Sequence, residues 1–306
     1  MKKPSPTALI ILAFFAIYVI WGSTYLLNKI SVAKLDPFML ASIRFVTAGL
    51  LIFVIAFFSG ISLKISKRQF KNTVLAGFFF LTFGNGVVVW ALKYVDSGFA
   101  ALEIAAQPLV VLLMMWVLQG KKIRRMSLLG IFLGVIGMFL LVSQKEIVLQ
   151  ENALTGILMI LACMLSWAYG SIFVGKAELP KNFFVNTGYQ MVTGGLLLVF
   201  FSIVFGEKWV PLSQWGSDVI WAMVILIIFG SIAAFTAFNF LLKQVSPEKV
   251  STNTYVNPII ALFLGWYFLG EKITLQSIIA ALVLLTGVYF INTSRNRLGA
   301  PRTPKS

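Results

Sequence analysis

Histidine is missing from this sequence, and cysteine occurs once, as Cys163. The two shortages exclude imidazole acid–base chemistry, zinc or haem sites built on His, and any internal disulfide. Charge is scarce too: Asp, Glu, Lys and Arg make up 11% of the chain, against about 25% in soluble domains. Only ten residues are acidic, and most of these fall in the breaks between apolar runs. Catalysis by paired carboxylates or a bound metal has no cluster to use, so the sequence points away from an enzyme and implies no cofactor and no metal. No Walker sequence or glycine-rich phosphate loop is present, so direct ATP hydrolysis has no site.

What the chain has in excess is apolar surface. Of its 306 residues 59% are hydrophobic, Phe alone supplies 28, and the mean hydropathy is +0.93. A soluble core cannot hide that much, so lipid must be the solvent for most of it. A transmembrane helix needs roughly 20 apolar residues. Ten such runs can be read: 8–27, 38–58, 73–92, 99–118, 128–143, 155–174, 183–205, 219–242, 250–269 and 275–293. They are continuous and not alternating, which favours helices over a barrel. Met1-Lys2-Lys3-Pro4 resembles the start of a signal peptide, but the run after it is full length and meets Asn28-Lys29, so it reads as a retained first span.

Positive charge sets the orientation. With the N-terminus inside, the inner segments hold 18 Lys and Arg, the outer loops hold six, and Arg44 lies within a span. Both termini are therefore expected in the cytoplasm, with residues 294–306 as a basic tail. The net charge of +15 reads as basic loops facing an anionic leaflet. The expected partners are the bilayer and a small-molecule substrate, with no nucleic acid. Monomer and homodimer both stay open.

The sequence also repeats. At an offset of 146, Arg-Phe-Val-Thr-Ala-Gly-Leu-Leu (44–51) faces Gln-Met-Val-Thr-Gly-Gly-Leu-Leu (190–197), and Trp21 faces Trp167. At an offset of 150, Gln107-Pro108 faces Asn257-Pro258, Trp116 faces Trp266, Gly120 faces Gly270 and Lys122 faces Lys272. Chance matches of Leu and Val are easy; co-registered Pro, Trp, Gly and Lys are not. Five spans per repeat is an odd number, so the second copy enters the membrane upside down. The expected fold is an all-α integral membrane protein of ten transmembrane helices, built as two inverted five-helix repeats over 8–143 and 155–293. Inverted repeats are the architecture of alternating access, with substrate near the midplane between the halves.

These features resemble the EamA branch of the drug/metabolite transporter superfamily. The resemblance covers residues 8–293 and rests on the two five-helix repeats, the span-two Arg44-Phe45, and the Pro-bearing fourth and ninth spans ending at Gly120 and at Gly270-Glu271-Lys272. Gly120-Lys121 departs from the family's Gly-Glu ending. The resemblance implies an inner-membrane efflux transporter for amino acids, drugs or related metabolites. A passive channel or facilitator, and an integral-membrane lipid-modifying enzyme, are the alternatives.

Candidate site residues follow from polarity inside the spans. Arg44 and Glu103 are the ionisable groups well inside them, and a charge there is expensive enough to pair, face a cavity or do work. Both sit at similar depth in the outer third, so they are expected to pair with each other, or to meet a substrate or a proton. Their repeat counterparts are the amides Gln190 and Asn253. Pro108 and Pro258 lie near the centres of their spans and leave the carbonyls of Ile104 and Thr254 without a helical donor. Gln107 and Asn257 set an amide beside each. Asn85 between two glycines, and Asn239, are further cavity candidates. So are the aromatic and hydroxyl groups Trp21, Ser23, Trp90, Trp167, Tyr169 and Tyr255. Cys163 reads as a small core residue.

Overall fold

The computed structural model describes residues 6–120, 123, 125–144, 151–245, 250 and 253–296. The basic positions Lys2, Lys3, Lys121, Lys122, Arg124 and Lys249, and the tail from residue 297, lie outside the described residues. Among those described, every regular element is helical. Eight helices are long and apolar enough to cross a membrane: α1 (Thr7–Val32), α2 (Pro37–Phe58), α3 (Lys67–Ala91), α4 (Ser97–Gln119), α5 (Arg125–Val142), α6 (Ala153–Val174), α7 (Phe183–Val204) and α8 (Ser217–Leu241). Two more, α9 (Asn253–Leu269) and α10 (Leu275–Asn296), follow; their apolar stretches, Val256–Leu269 and Leu275–Phe290, are shorter. Each apolar run of the sequence falls on one of these helices.

The helix ends have local causes. Ser66 and Gln69 form a reciprocal capping box at the start of α3, and the Asn182 side chain accepts from Phe184 and Val185 N–H at the start of α7. Pro37 occupies the first turn of α2, where its missing N–H costs nothing. The helices α2, α4, α7 and α9 run into glycines in the left-handed region: Gly60 at φ 67°, Gly120 at 61°, Gly206 at 67° and Gly270 at 66°. Gly60 and Gly206, and likewise Gly120 and Gly270, are counterparts under the repeat. The same backbone reversal is needed in each half, and only glycine takes it without a Cβ penalty.

The interior is regular in the same sense. The most extensive pairings are α2 along α7 and α5 along α10, and each joins two counterparts. Glycines permit the close approach. A Cβ on Gly49 would lie 2.8 Å from the Val192 nitrogen, and one on Gly137 would lie 2.7 Å from the Leu284 nitrogen. Because these contacts are backbone, a larger side chain cannot be absorbed by a rotamer change. Gly137→Leu should therefore lower stability by about 1–3 kcal/mol or more, read as a lower thermal unfolding temperature in detergent. An unchanged temperature would mean that α5 and α10 are not packed backbone to backbone. On the outer surface large apolar groups stay uncovered, Phe58 at 82% and Leu282 at 64% exposure, as expected where hydrocarbon is the solvent.

Three helices are not plain α-helices. A π-helical stretch runs over Ala16–Ile20 in α1, Phe78–Asn85 in α3 and Leu226–Ala233 in α8. The stretches in α3 and α8 have the same length and lie 148 residues apart, between the two offsets of the sequence repeat. Such widened turns release carbonyls from the helical ladder and favour functional positions. In α4 the α-helical pattern stops after Ile104 and resumes at Gln107, one residue before Pro108. The expected mirror image at Pro258 does not form: α9 continues through it unbroken.

Candidate functional site

A cavity of about 920 Å³ opens where the two halves meet. Trp21, Thr24, Tyr25, Asn28, Arg44, Phe80, Asn85, Gln107 and Pro108 line it from the first half, and Cys163, Trp167, Asn186, Ser231, Phe235, Phe238, Asn239, Asn253, Asn257 and Pro258 from the second. One end reaches the exposed residues Gly175, Lys176 and Lys181. The other end stops at Arg44, Ser231 and Asn28, which are 3%, 0% and 4% exposed. The cavity is thus open on the side of the 175–182 loop and shut on the opposite side.

Its wall is aromatic where the repeat places Trp21 opposite Trp167. These two indoles meet edge to face at 6.5 Å. Phe80 lies 4.7 Å from Trp167, and Phe238 lies 5.2 Å from Trp21 and 6.2 Å from Trp167. The Trp21 indole N–H donates to the Gly230 carbonyl at 3.2 Å, within the π stretch of α8. The amides beside the two prolines do the same job in mirror image. Gln107 donates to the Met164 carbonyl of α6 at 3.0 Å. Asn257, with its amide oriented to donate, reaches the Tyr18 and Ile17 carbonyls of α1 at 2.9 and 3.1 Å. Each links a proline-bearing helix to the first helix of the other half.

At the shut end Arg44 donates from Nε to Ser231 Oγ at 2.8 Å and from Nη1 to Asn28 Oδ1 at 3.4 Å. Its guanidinium carbon also stands 4.8 Å from the Phe45 ring centre. The expected ion pair with Glu103 is not formed. Arg44 is held by neutral oxygens, while Glu103 is fully buried outside the cavity lining and neither of its oxygens receives a hydrogen bond. Equal depth on two helices fixes height in the membrane but not which way each side chain faces.

Polar links between the halves close the same end. Glu271 accepts from Ser97 N and Oγ, both at 2.8 Å, and from Gly98 N at 3.0 Å, and so caps the N-terminus of α4. Glu207 accepts from Phe38 N at 3.0 Å and Met39 N at 2.7 Å, and caps α2 in the same way. Carboxylates are favoured at helix N-termini, where unpaired N–H groups and the macrodipole attract negative charge. Lys34 bonds Asp218 at 2.8 Å. Asp36 accepts from Lys208 N at 2.9 Å and Lys93 Nζ at 3.1 Å. Partial burial pushes the Asp36 carboxyl up, but the Lys208 N–H and the Lys93 ammonium outweigh it and hold it below the usual carboxylate range. Its stabilising effect is therefore present above the ordinary carboxylate pKa and is lost as pH falls through the lower folded value.

Comparison with known proteins decides the family. The EamA-like transporter family matches residues 8–143 and again 154–293. The chain belongs to that family. The EamA relatives include the uncharacterized inner membrane transporter YedA of Escherichia coli K12, 35% identical over 281 residues that cover 90% of this chain and 89% of YedA. The uncharacterized transporter YoaV of Bacillus subtilis is 23% identical, covering 93% of this chain and 96% of its own. A solved crystal structure superposes with a TM-score of 0.68 at 20% identity, covering 97% of this chain and 100% of the other, and shows the fold. The EamA chain is accordingly a multi-pass membrane protein of a transporter family.

Of the residues singled out from sequence, Trp21, Asn85, Gln107, Pro108, Trp167, Asn239, Asn257, Pro258 and Arg44 come together in the cavity of this EamA protein. Three do not. Ser23 turns back on its own helix and donates to the Ile20 carbonyl at 2.7 Å. Trp90 packs between Phe38 and Phe205, with ring centres 5.3 and 5.5 Å away, near the shut end. Tyr169 is 44% exposed on the outer face against Phe79. One residue further along a helix rotates a side chain by about 100°, which suffices to carry it from cavity to lipid. The side chain of Tyr255 lies outside the described residues. Sequence reasoning missed Asn28, Phe80, Asn186, Ser231, Phe235 and Phe238 as lining groups. Asn28 and Ser231 are polar residues in or near apolar helices, a signal that could have drawn notice; the phenylalanines are lost among 28.

Proposed function

We propose that this protein is a secondary transporter that exports small organic solutes, amino acids, drugs or related metabolites, by alternating access of two inverted five-helix halves, 8–143 and 155–293. In this reading the chain crosses the inner membrane ten times with both termini in the cytoplasm, and the cavity faces the cytoplasm. The observation that carries it is the 920 Å³ cavity, lined by both halves, open at one end and clamped at the other by Glu207 and Glu271. The paired π stretches, the paired left-handed glycines and the mirrored Gln107 and Asn257 contacts support the inverted repeat. A one-sided clamp suits a carrier that opens alternately better than a continuous pore, and the relatives bear transporter names, which speaks against an enzyme.

The test is counterflow in proteoliposomes. Vesicles preloaded with unlabelled solute should transiently accumulate labelled solute against its gradient, with saturation, and an imposed pH gradient should change the rate if protons are coupled. A flux that never saturates and shows no counterflow would instead mark a facilitator or channel.

A further inference from the structure

We propose that the cavity recognises an organic anion, a carboxylate borne on an apolar or aromatic body, with Arg44 as the ligand of the carboxylate. This rests on the transporter reading and names the substrate class of the same site. Among the described residues that line the cavity, Arg44, Lys176 and Lys181 are basic and none is Asp or Glu. The positive side chains occupy both ends: the lysines stand at the open mouth, and the guanidinium is buried at the shut end. Among the described residues Arg44 meets no carboxylate within ion-pair distance. Its hydrogen-bond partners among the described residues are the neutral oxygens of Ser231 and Asn28.

A buried cation held by neutral groups has its charge uncompensated, which is costly unless a counter-charge arrives. Glu103 does not supply it, since its oxygens are sealed from the cavity and touch no donor. An entering carboxylate would supply it through charge-assisted hydrogen bonds to a planar donor group whose orientation Ser231 and Asn28 already fix. A neutral amide of the same shape could make only part of those bonds, and an ammonium would be repelled. The rest of the cavity is aromatic, with Trp21, Trp167, Phe80 and Phe238 in mutual ring contact, which suits an apolar body on the anion. Its volume falls within the range of about 300–1,000 Å³ typical of small-molecule sites.

The experiment measures binding to the purified wild-type protein by calorimetry, using 3-phenylpropionate, 4-phenylbutyrate and octanoate, each against its own primary amide and the matching amine. Each acid should bind roughly tenfold or more tightly than its amide, and the amines should not bind. In Arg44→Gln the acids should fall to the level of the amides, and Arg44→Lys should keep part of the preference. Amides or amines binding as well as the acids, or no binding by any acid, would overturn the proposal with the wild-type protein alone, whether or not the variants fold. Counterflow with the same compounds separates the two readings. Acids that bind but are never carried support the anion site and sink the transporter; amines or amides carried in preference to acids keep the transporter and sink the anion site.

Discussion

With Glu207 and Glu271 both replaced by Gln, a cysteine in the cavity should become about ten to a hundred times more reactive towards an impermeant maleimide outside intact cells. Each carboxylate joins the two halves by capping a helix N-terminus, Glu207 on α2 and Glu271 on α4. Hydrogen bonds to a charged group are worth about 1.5–3 kcal/mol, and the helix dipole adds about 0.3–1 kcal/mol. Glutamine keeps one acceptor but loses the charge and the second oxygen, so a combined loss of about 1.5–3 kcal/mol is expected, equal to that shift in population. Thr24, which lines the shut end, is the reporter position, as Thr24→Cys in a Cys163→Ser background. Labelling that does not rise would show that these carboxylates do not hold the closed state.

The second large effect concerns Arg44 and Glu103. Because they do not touch, Arg44→Gln and Glu103→Asn should act independently, with a coupling energy within about 0.5 kcal/mol, and the double change should not rescue the single Arg44 variant. Arg44→Leu strands the Ser231 hydroxyl and the Asn28 carbonyl and should cost about 1–3 kcal/mol for each group left unpaired. Glu103→Leu should behave oppositely. It removes a buried carboxyl that no donor satisfies, so thermal unfolding in detergent should stay level or rise. Rescue of Arg44→Gln by Glu103→Asn would mean that the two groups pair in another conformation of the transport cycle. Unaltered stability of Glu103→Leu together with lost transport would assign the carboxyl a role in the cycle itself.

The helices and their rough limits were legible because hydrophobic length in a bilayer is a one-dimensional property, and caps such as Ser66 with Gln69 are local. The repeat was legible because prolines, tryptophans and glycines recur in register. Trp21, Trp167, Gln107 and Asn257 could be picked out as candidates for the same reason. The symmetry failed as a guide where the two copies have diverged: α4 breaks before Pro108 while α9 stays helical through Pro258.

The sequence by itself determined that lipid is the solvent and where the chain is helical. Only the tertiary structure decided which faces of those helices look inward. It turned Arg44 to Ser231 and Asn28 and away from Glu103, sent Tyr169 to the surface, and set Glu207 and Glu271 on the helix ends of the opposite half. The physical reason is rotational. Hydropathy records depth along a helix, but when nearly every residue is apolar it carries almost no signal for azimuth, and azimuth is fixed only when close-packed glycines, π turns and released carbonyls lock one helix against the next.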